Sequence, residues 1–155
     1  MMDHEYGNTK RINHFMKVFA YSQMIALGEK VDNETQELIE ITALMHDIGI
    51  KISKEKYQSS AGPYQEKEGA ILARKILEKL NYDFKKIDRI CYIIGHHHTY
   101  DHIDGIDYQI IVEADFLVNL DENNRDRETI EAVKNKIFQT KTGKDYLDAL
   151  FAEVK

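Results

Sequence analysis

Leu38-Ile39-Glu40-Ile41-Thr42-Ala43-Leu44-Met45-His46-Asp47-Ile48-Gly49 carries two signals at once. Leu38, Ile41, Leu44 and Met45 recur at three- and four-residue steps, the spacing of one buried helix face. The run then closes on an adjacent imidazole and carboxylate, and Gly49 breaks the helix they end. Both groups are costly to bury unless something pairs with them. A divalent cation does so, and further ligands stand at His14 upstream and Asp115 downstream.

The helical period extends outward from this run. Ile12, Phe15, Met16 and Phe19 define a first long helix that ends near Gly28, a C-cap residue. Asp32 or Asn33 caps the second helix, with Glu34 and Glu37 in its first turn. Lys51 to Gly62 reads as a loop, long enough to act as a lid over a substrate. Pro63 opens a third helix with Ala70, Ala73, Ile76, Leu77 and Leu80 on its stripe. Phe84, Ile87, Ile90, Cys91 and Ile94 mark a fourth that runs out at Gly95, and Asp104-Gly105 is a turn signal. Ile110 to Leu120 has strand-like content, but Ile110, Ala114, Leu117 and Val118 keep helical spacing and favour a helix. Asp126 caps a further helix through Ile130, Val133 and Ile137. Thr142-Gly143 starts the last, which carries Tyr146, Leu147, Leu150 and Phe151. The expected fold is all-α: one domain over 1–155, about seven helices with short connections. The motif-bearing region is 11–120 and the C-terminal helices occupy 126–155.

A chain of 155 residues suits a single core. Its net charge of −6 argues against a surface for long nucleic acid, which is basic. A nucleotide remains open as substrate, because a metal supplies positive charge locally. Cys91 is the one cysteine; it forms no internal disulfide and reads as a buried small hydrophobe. Met1-Met2-Asp3-His4-Glu5 is not a secretory signal and no apolar run reaches membrane-spanning length, so a cytoplasmic location and no membrane partner are expected. Aromatic helix faces near the C-terminus suit core packing or a homodimer equally.

His14 lies at the edge of the first helix's apolar stripe, and Asp115 lies within Val112-Glu113-Ala114-Asp115-Phe116-Leu117-Val118. Two imidazoles and two carboxylates from three segments suit one divalent Mn, Fe, Ni, Co or Zn ion. Coordination positions left over would take water and a substrate oxygen, and the ion acidifies that water.

The order His14, His46-Asp47, Asp115 resembles the HD superfamily of metal-dependent phosphohydrolases. Ala43-Leu44-Met45-His46-Asp47-Ile48-Gly49, Glu68-Gly69-Ala70, Ile93-Ile94-Gly95-His96-His97 and Glu113-Ala114-Asp115 resemble its blocks in sequence order. The resemblance implies an all-α fold, a divalent metal and hydrolysis of phosphate esters. It further implies that His96 and His97 line the site, stabilising charge or protonating the leaving oxygen, and that Lys51 reaches a phosphate oxygen through its loop. Gln65 stands where relatives often have a histidine ligand, which favours one tightly held ion over two. Gln65, Glu66 and His98 are the candidates for a second metal or for substrate contact, with Glu68 close by. His98 and His102, four apart, would share a helix face if the histidine run were helical. Gly105-Ile106-Asp107-Tyr108 lacks the proline of the cyclic-dinucleotide branch, and Ile50 stands where nucleotidase relatives carry a glutamate. The expected activity is hydrolysis of a small phosphomonoester or nucleotide through a metal-activated water. The alternatives are a non-catalytic metal- or nucleotide-binding regulator of the same fold, and a diiron oxygen-binding bundle.

Overall fold

The helix that buries the most of its length becomes the axis of the fold. Helix α6 (Ile106–Glu122) buries Tyr108, Ile110, Ile111, Val112, Ala114, Leu117, Val118 and Leu120, residues on all of its sides. A helix apolar all round belongs in the interior, and burial on every side overrides the strand preference of Ile110-Ile111-Val112. A computed structural model describes residues 1–154 as eight α-helices, with no strand among the described residues. Helices α1 (Thr9–Gly28), α2 (Asn33–Ala43), α7 (Arg127–Ile137) and α8 (Lys141–Leu150) pack directly on α6. On the far side of α2 lies α5 (Phe84–Ile94), which packs on α4 (Gly62–Lys79), and α4 in turn holds α3 (Ile50–Tyr57).

The helix starts follow their capping residues. Asp32, Asp83, Asp126 and Thr140 accept the backbone N–H three residues on, at 2.9, 3.1, 2.8 and 2.9 Å. Each bond satisfies one of the donors that a helix start leaves free. Thr140 therefore starts the last helix two residues before the expected Thr142-Gly143. Pro63 lies in the first turn of α4.

Two expectations are corrected. Lys51 to Gly62 is not one long loop: Ile50–Tyr57 is a helix, the eighth element that the expected seven omitted. Ile50 and Ser53 face inward, and α3 is pinned to α4 by Lys56 Nζ and Tyr57 Oη, which donate to Glu68 at 2.7 and 2.8 Å. That leaves only 58–61 as connection, too short for a lid. His46 and Asp47 also lie beyond α2, which ends at Ala43. There the chain tightens into successive turns, with Met45 N–H donating to Thr42 O at 3.0 Å and Ile48 N–H to Met45 O at 3.0 Å.

Those turns bring Gly49 against the backbone of α4. A Cβ on Gly49 would overlap Gln65 O and stand 2.5 Å from Gly69 N. The requirement is steric, since Gly49 has an ordinary φ of −75°. Gly49→Ala is expected to cost about 2 kcal/mol or more, in the range of overpacked sites. Urea unfolding checks this; a midpoint equal to that of the parent protein would show that the two backbones are not in forced contact. Among the described residues, no helix is long and apolar enough to cross a membrane.

Candidate metal centre

Three elements bring four side chains together beneath α6. His14 comes from α1, His46 and Asp47 from the turns after α2, and Asp115 from the middle of α6. All four are buried. The ring nitrogens His14 Nε2 and His46 Nε2 lie 3.4 Å apart. Asp115 Oδ1 stands 3.2 Å from the first and 3.6 Å from the second. Asp47 Oδ2 stands 3.7 and 3.8 Å from them. Donor atoms of His14, His46 and Asp47 all lie within 4.8 Å of one another.

The histidine tautomers follow from their outer partners. His14 Nδ1 faces Glu122 Oε2 at 3.1 Å, and His46 Nδ1 faces Ala43 O at 2.8 Å. A carboxylate and a carbonyl only accept, so each Nδ1 carries a proton, and each ring in its neutral form turns an Nε2 lone pair inward. Two lone pairs that face each other beside two carboxylates form a pocket for a cation. The donor set therefore fits a divalent metal of borderline hardness.

The electrostatics agree. Burial disfavours charge on His14 and His46, yet their pKa values are raised: Asp115 and Asp47 beside them more than offset the burial. Burial likewise disfavours the Asp47 and Asp115 carboxylates, yet the neighbouring imidazoles hold both below the usual carboxylate range. The cluster is thus built to keep its carboxylates ionised and to hold positive charge.

A second group shares Asp47. Donor atoms of Asp47, His97 and His98 also lie within 4.8 Å of one another. His97 Nδ1 donates to Ile94 O at 2.8 Å, which turns Nε2 to within 3.4 Å of Asp47 Oδ1. His97 Nε2 is buried and has no hydrogen-bond partner among the described residues. The His98 N–H donates to Glu66 Oε1 at 2.9 Å, and Gln65 Nε2 lies 3.3 Å from His98 Nε2. Glu66 and Gln65 thus reach this group through His98.

Other expected positions lie elsewhere. His96 is exposed; its ring stacks on Tyr92 at 4.4 Å and its Nδ1 donates to Tyr92 O at 2.7 Å. The inward pair is His97 and His98 because the chain turns after α5 ends at Ile94, which carries His96 outward. Lys51 donates to His4 O at 3.0 Å and lines a cavity of about 330 Å³ with Arg11 and Lys54. It borders the cluster without joining it. His102 is exposed beside Asp101. Glu68 is committed to Lys56 and Tyr57.

Three residues went unread in the sequence. Arg11 Nη1 donates to Asp47 Oδ2 at 2.6 Å. Asn119 Nδ2 donates to Asp115 Oδ1 at 2.8 Å. Glu122 orients His14, although its acidic neighbours suggest a solvated turn. The signal was present: Asp115, Asn119 and Glu122 stand at i, i+4 and i+7, one stripe of α6, and Arg11 stands one turn before His14 on α1.

The sequence model of the HD domain matches residues 11–137, a span that holds every residue of both groups. Among solved structures, the chain is similar in fold to a predicted HD superfamily hydrolase from an uncultured Thermotogales bacterium. The two are 21% identical with a TM-score of 0.68, over 97% of this chain and 80% of that one. No curated protein matches the sequence. With the family match covering most of its length, the chain belongs to the HD domain family.

Proposed function

We propose that this protein is a metal-dependent phosphohydrolase that acts on a small phosphomonoester or nucleotide. The observation that carries the reading is the convergence of His14 Nε2, His46 Nε2 and Asp115 Oδ1 within 3.6 Å of one another, beside Asp47. His14, His46, Asp47 and Asp115 would hold one divalent ion. The donors of Asp47, His97 and His98 would fit a second, the less favoured of the two expectations drawn from Gln65. When bound, such ions supply a low-pKa water and a Lewis acid for a phosphoryl oxygen.

The chain's own residues do the rest. Glu122 and the Ala43 carbonyl lock the two imidazoles in the orientation a cation needs, so no reorganisation is required when it arrives. Asn119 holds the Asp115 carboxylate from the same helix face. Arg11 bonds Asp47 through Nη1 and lines the cavity that Lys51 and Lys54 also line, so its remaining guanidinium donors are available to a phosphate entering there. The buried carboxylates repel an anion; in the cavity lining Arg11, Lys51 and Lys54 outnumber Glu5 and Glu55 and offset part of that repulsion.

A phosphatase screen with Mn, Ni, Co and Fe tests the reading. Turnover of phosphate monoesters that chelation abolishes and one of these metals restores is the expected result. Tight metal binding with no hydrolysis of any phosphate ester would favour the regulatory alternative. Arg11→Ala is expected to lower kcat/KM about 100-fold, of the order of losing a charge-assisted phosphate contact. The bound metal should stay unchanged by elemental analysis, and loss of metal would recast Arg11 as a support of Asp47.

A further inference from the structure

A groove leads away from the second histidine group. A cavity of about 540 Å³ is lined by His98, Thr99, Tyr100, Asp101, Lys136 and Ile137. It shares Tyr100, Lys136 and Ile137 with a second cavity of about 410 Å³, which continues past Phe116 and Val133 to Glu128 and Thr129 on α7. Both are of the size that holds small ligands. One end of the groove is therefore His98, and one wall is Phe116, the residue next to Asp115. The Tyr100 ring belongs to the same neighbourhood: burial, and then the charges of Asp115, Glu66 and Asp47, push its hydroxyl up to about 12.

The chemistry of the lining is specific. Tyr100 and Phe116 form an aromatic corner, with ring centroids 5.2 Å apart and planes at 60°. Tyr100 keeps 37% of its surface exposed, so the corner still has contact area for a ligand. Ala132 and Val133 face it from α7. Lys136 lies between the two cavities with no carboxylate partner among the described residues, whereas Lys134 on the same helix is paired with Asp148. Glu128 and Thr129 close the far end with polar groups. Asp101 shares the first cavity with Lys136 without forming an ion pair with it. An aromatic, apolar slot with an unpaired cation midway and hydrogen-bonding groups at its ends matches a planar heterocycle joined to a polar sugar.

We propose that this groove takes the leaving group of the substrate and selects phosphate esters that carry a planar aromatic base, as in a nucleoside 5′-monophosphate. Tyr100, Phe116 and Val133 contact the base, and Lys136 contacts the sugar hydroxyls or a ring carbonyl. The proposal rests on the hydrolase reading for its orientation, with the phosphate at the histidine end.

The test compares adenosine 5′-monophosphate with ribose 5-phosphate, which keeps the sugar and phosphate and lacks the base. The metal-loaded protein is expected to prefer the nucleotide by about 10-fold or more in kcat/KM, the order of one base–aromatic contact. Calorimetry with chelator present is expected to show the same preference in binding. Ala132→Trp, at an exposed position of α7 that a larger side chain can occupy without core strain, fills the slot. It is expected to bring both ratios close to one with metal content unchanged. Equal kcat/KM and equal affinity for the two compounds in the parent protein would overturn the groove and leave the hydrolase reading standing. Absence of hydrolysis with every metal, together with nucleotide binding that Ala132→Trp weakens, would sustain the groove and remove the hydrolase reading.

Discussion

Asp115→Ala is expected to lower metal-dependent hydrolysis by about 10³-fold or more, several kcal/mol of transition-state stabilisation. Asp115 Oδ1 is the carboxylate atom nearest both imidazole nitrogens, at 3.2 and 3.6 Å. Without it, two ring nitrogens 3.4 Å apart face each other with one carboxylate in place of two. Asn119 also loses its acceptor. Elemental analysis after dialysis is expected to show the metal depleted. Glu122→Ala serves as the contrast, because it frees His14 to rotate but removes no inward donor. Its expected loss is about 10- to 100-fold, the range for partners that orient a ligand. Equal activity of the Asp115 variant and the parent, with metal retained, would remove Asp115 from the centre.

The second large effect concerns folding. Glu113 is fully buried on α6, two residues before Asp115, and its carboxylate gathers donors from the start of α8. Gln139 N–H donates to Oε1 at 2.6 Å, Thr140 N–H at 2.9 Å and Gln109 Nε2 at 2.7 Å. The Thr140 hydroxyl donates to Oε2. A Cβ on Gly143 would overlap Oε2, so α8 presses closely on this carboxylate. Glu113→Ala leaves those donors buried without an acceptor, each costing about 1–3 kcal/mol before relaxation. The expected loss is about 3–5 kcal/mol, equivalent to a fall in Tm on the order of 10 °C. Calorimetry with metal absent isolates this from any effect on the centre. A shift within 2 °C or so of the parent would show that α8 is held by other contacts. Glu113 therefore explains its own place in the family-like block: it is the bolt that sets α8 on α6.

The contrast between Glu113 and Asp115 shows what a sequence of this kind discloses. Both are acids in one apolar run, and pattern alone separates neither from the other. Asp115 was legible because His14 and His46-Asp47 gave it partners of matching chemistry in a fixed order. Glu113 was not, because its partners are backbone N–H groups, which every residue but proline carries. The helices were legible where amphipathic stripes are long. α3 was missed because its inward face is just Ile50 and Ser53 over eight residues, between a glycine and a serine pair. The choice of His97 and His98 over His96 hangs on how the chain turns after Ile94. Spacing along the sequence does not encode that rotation once the helix has ended. Arg11, Asn119 and Glu122 were within reach, since helical spacing from His14 and Asp115 places them on the same faces.

Anomalous scattering from a crystal of untagged protein grown with Mn²⁺ bears most directly on the centre. A peak bonded to His14 Nε2, His46 Nε2, Asp47 and Asp115 is the predicted result, with any further peak between Asp47, His97 and His98. Excess Mn²⁺ that leaves no peak among those side chains, or peaks on surface carboxylates alone, would contradict it.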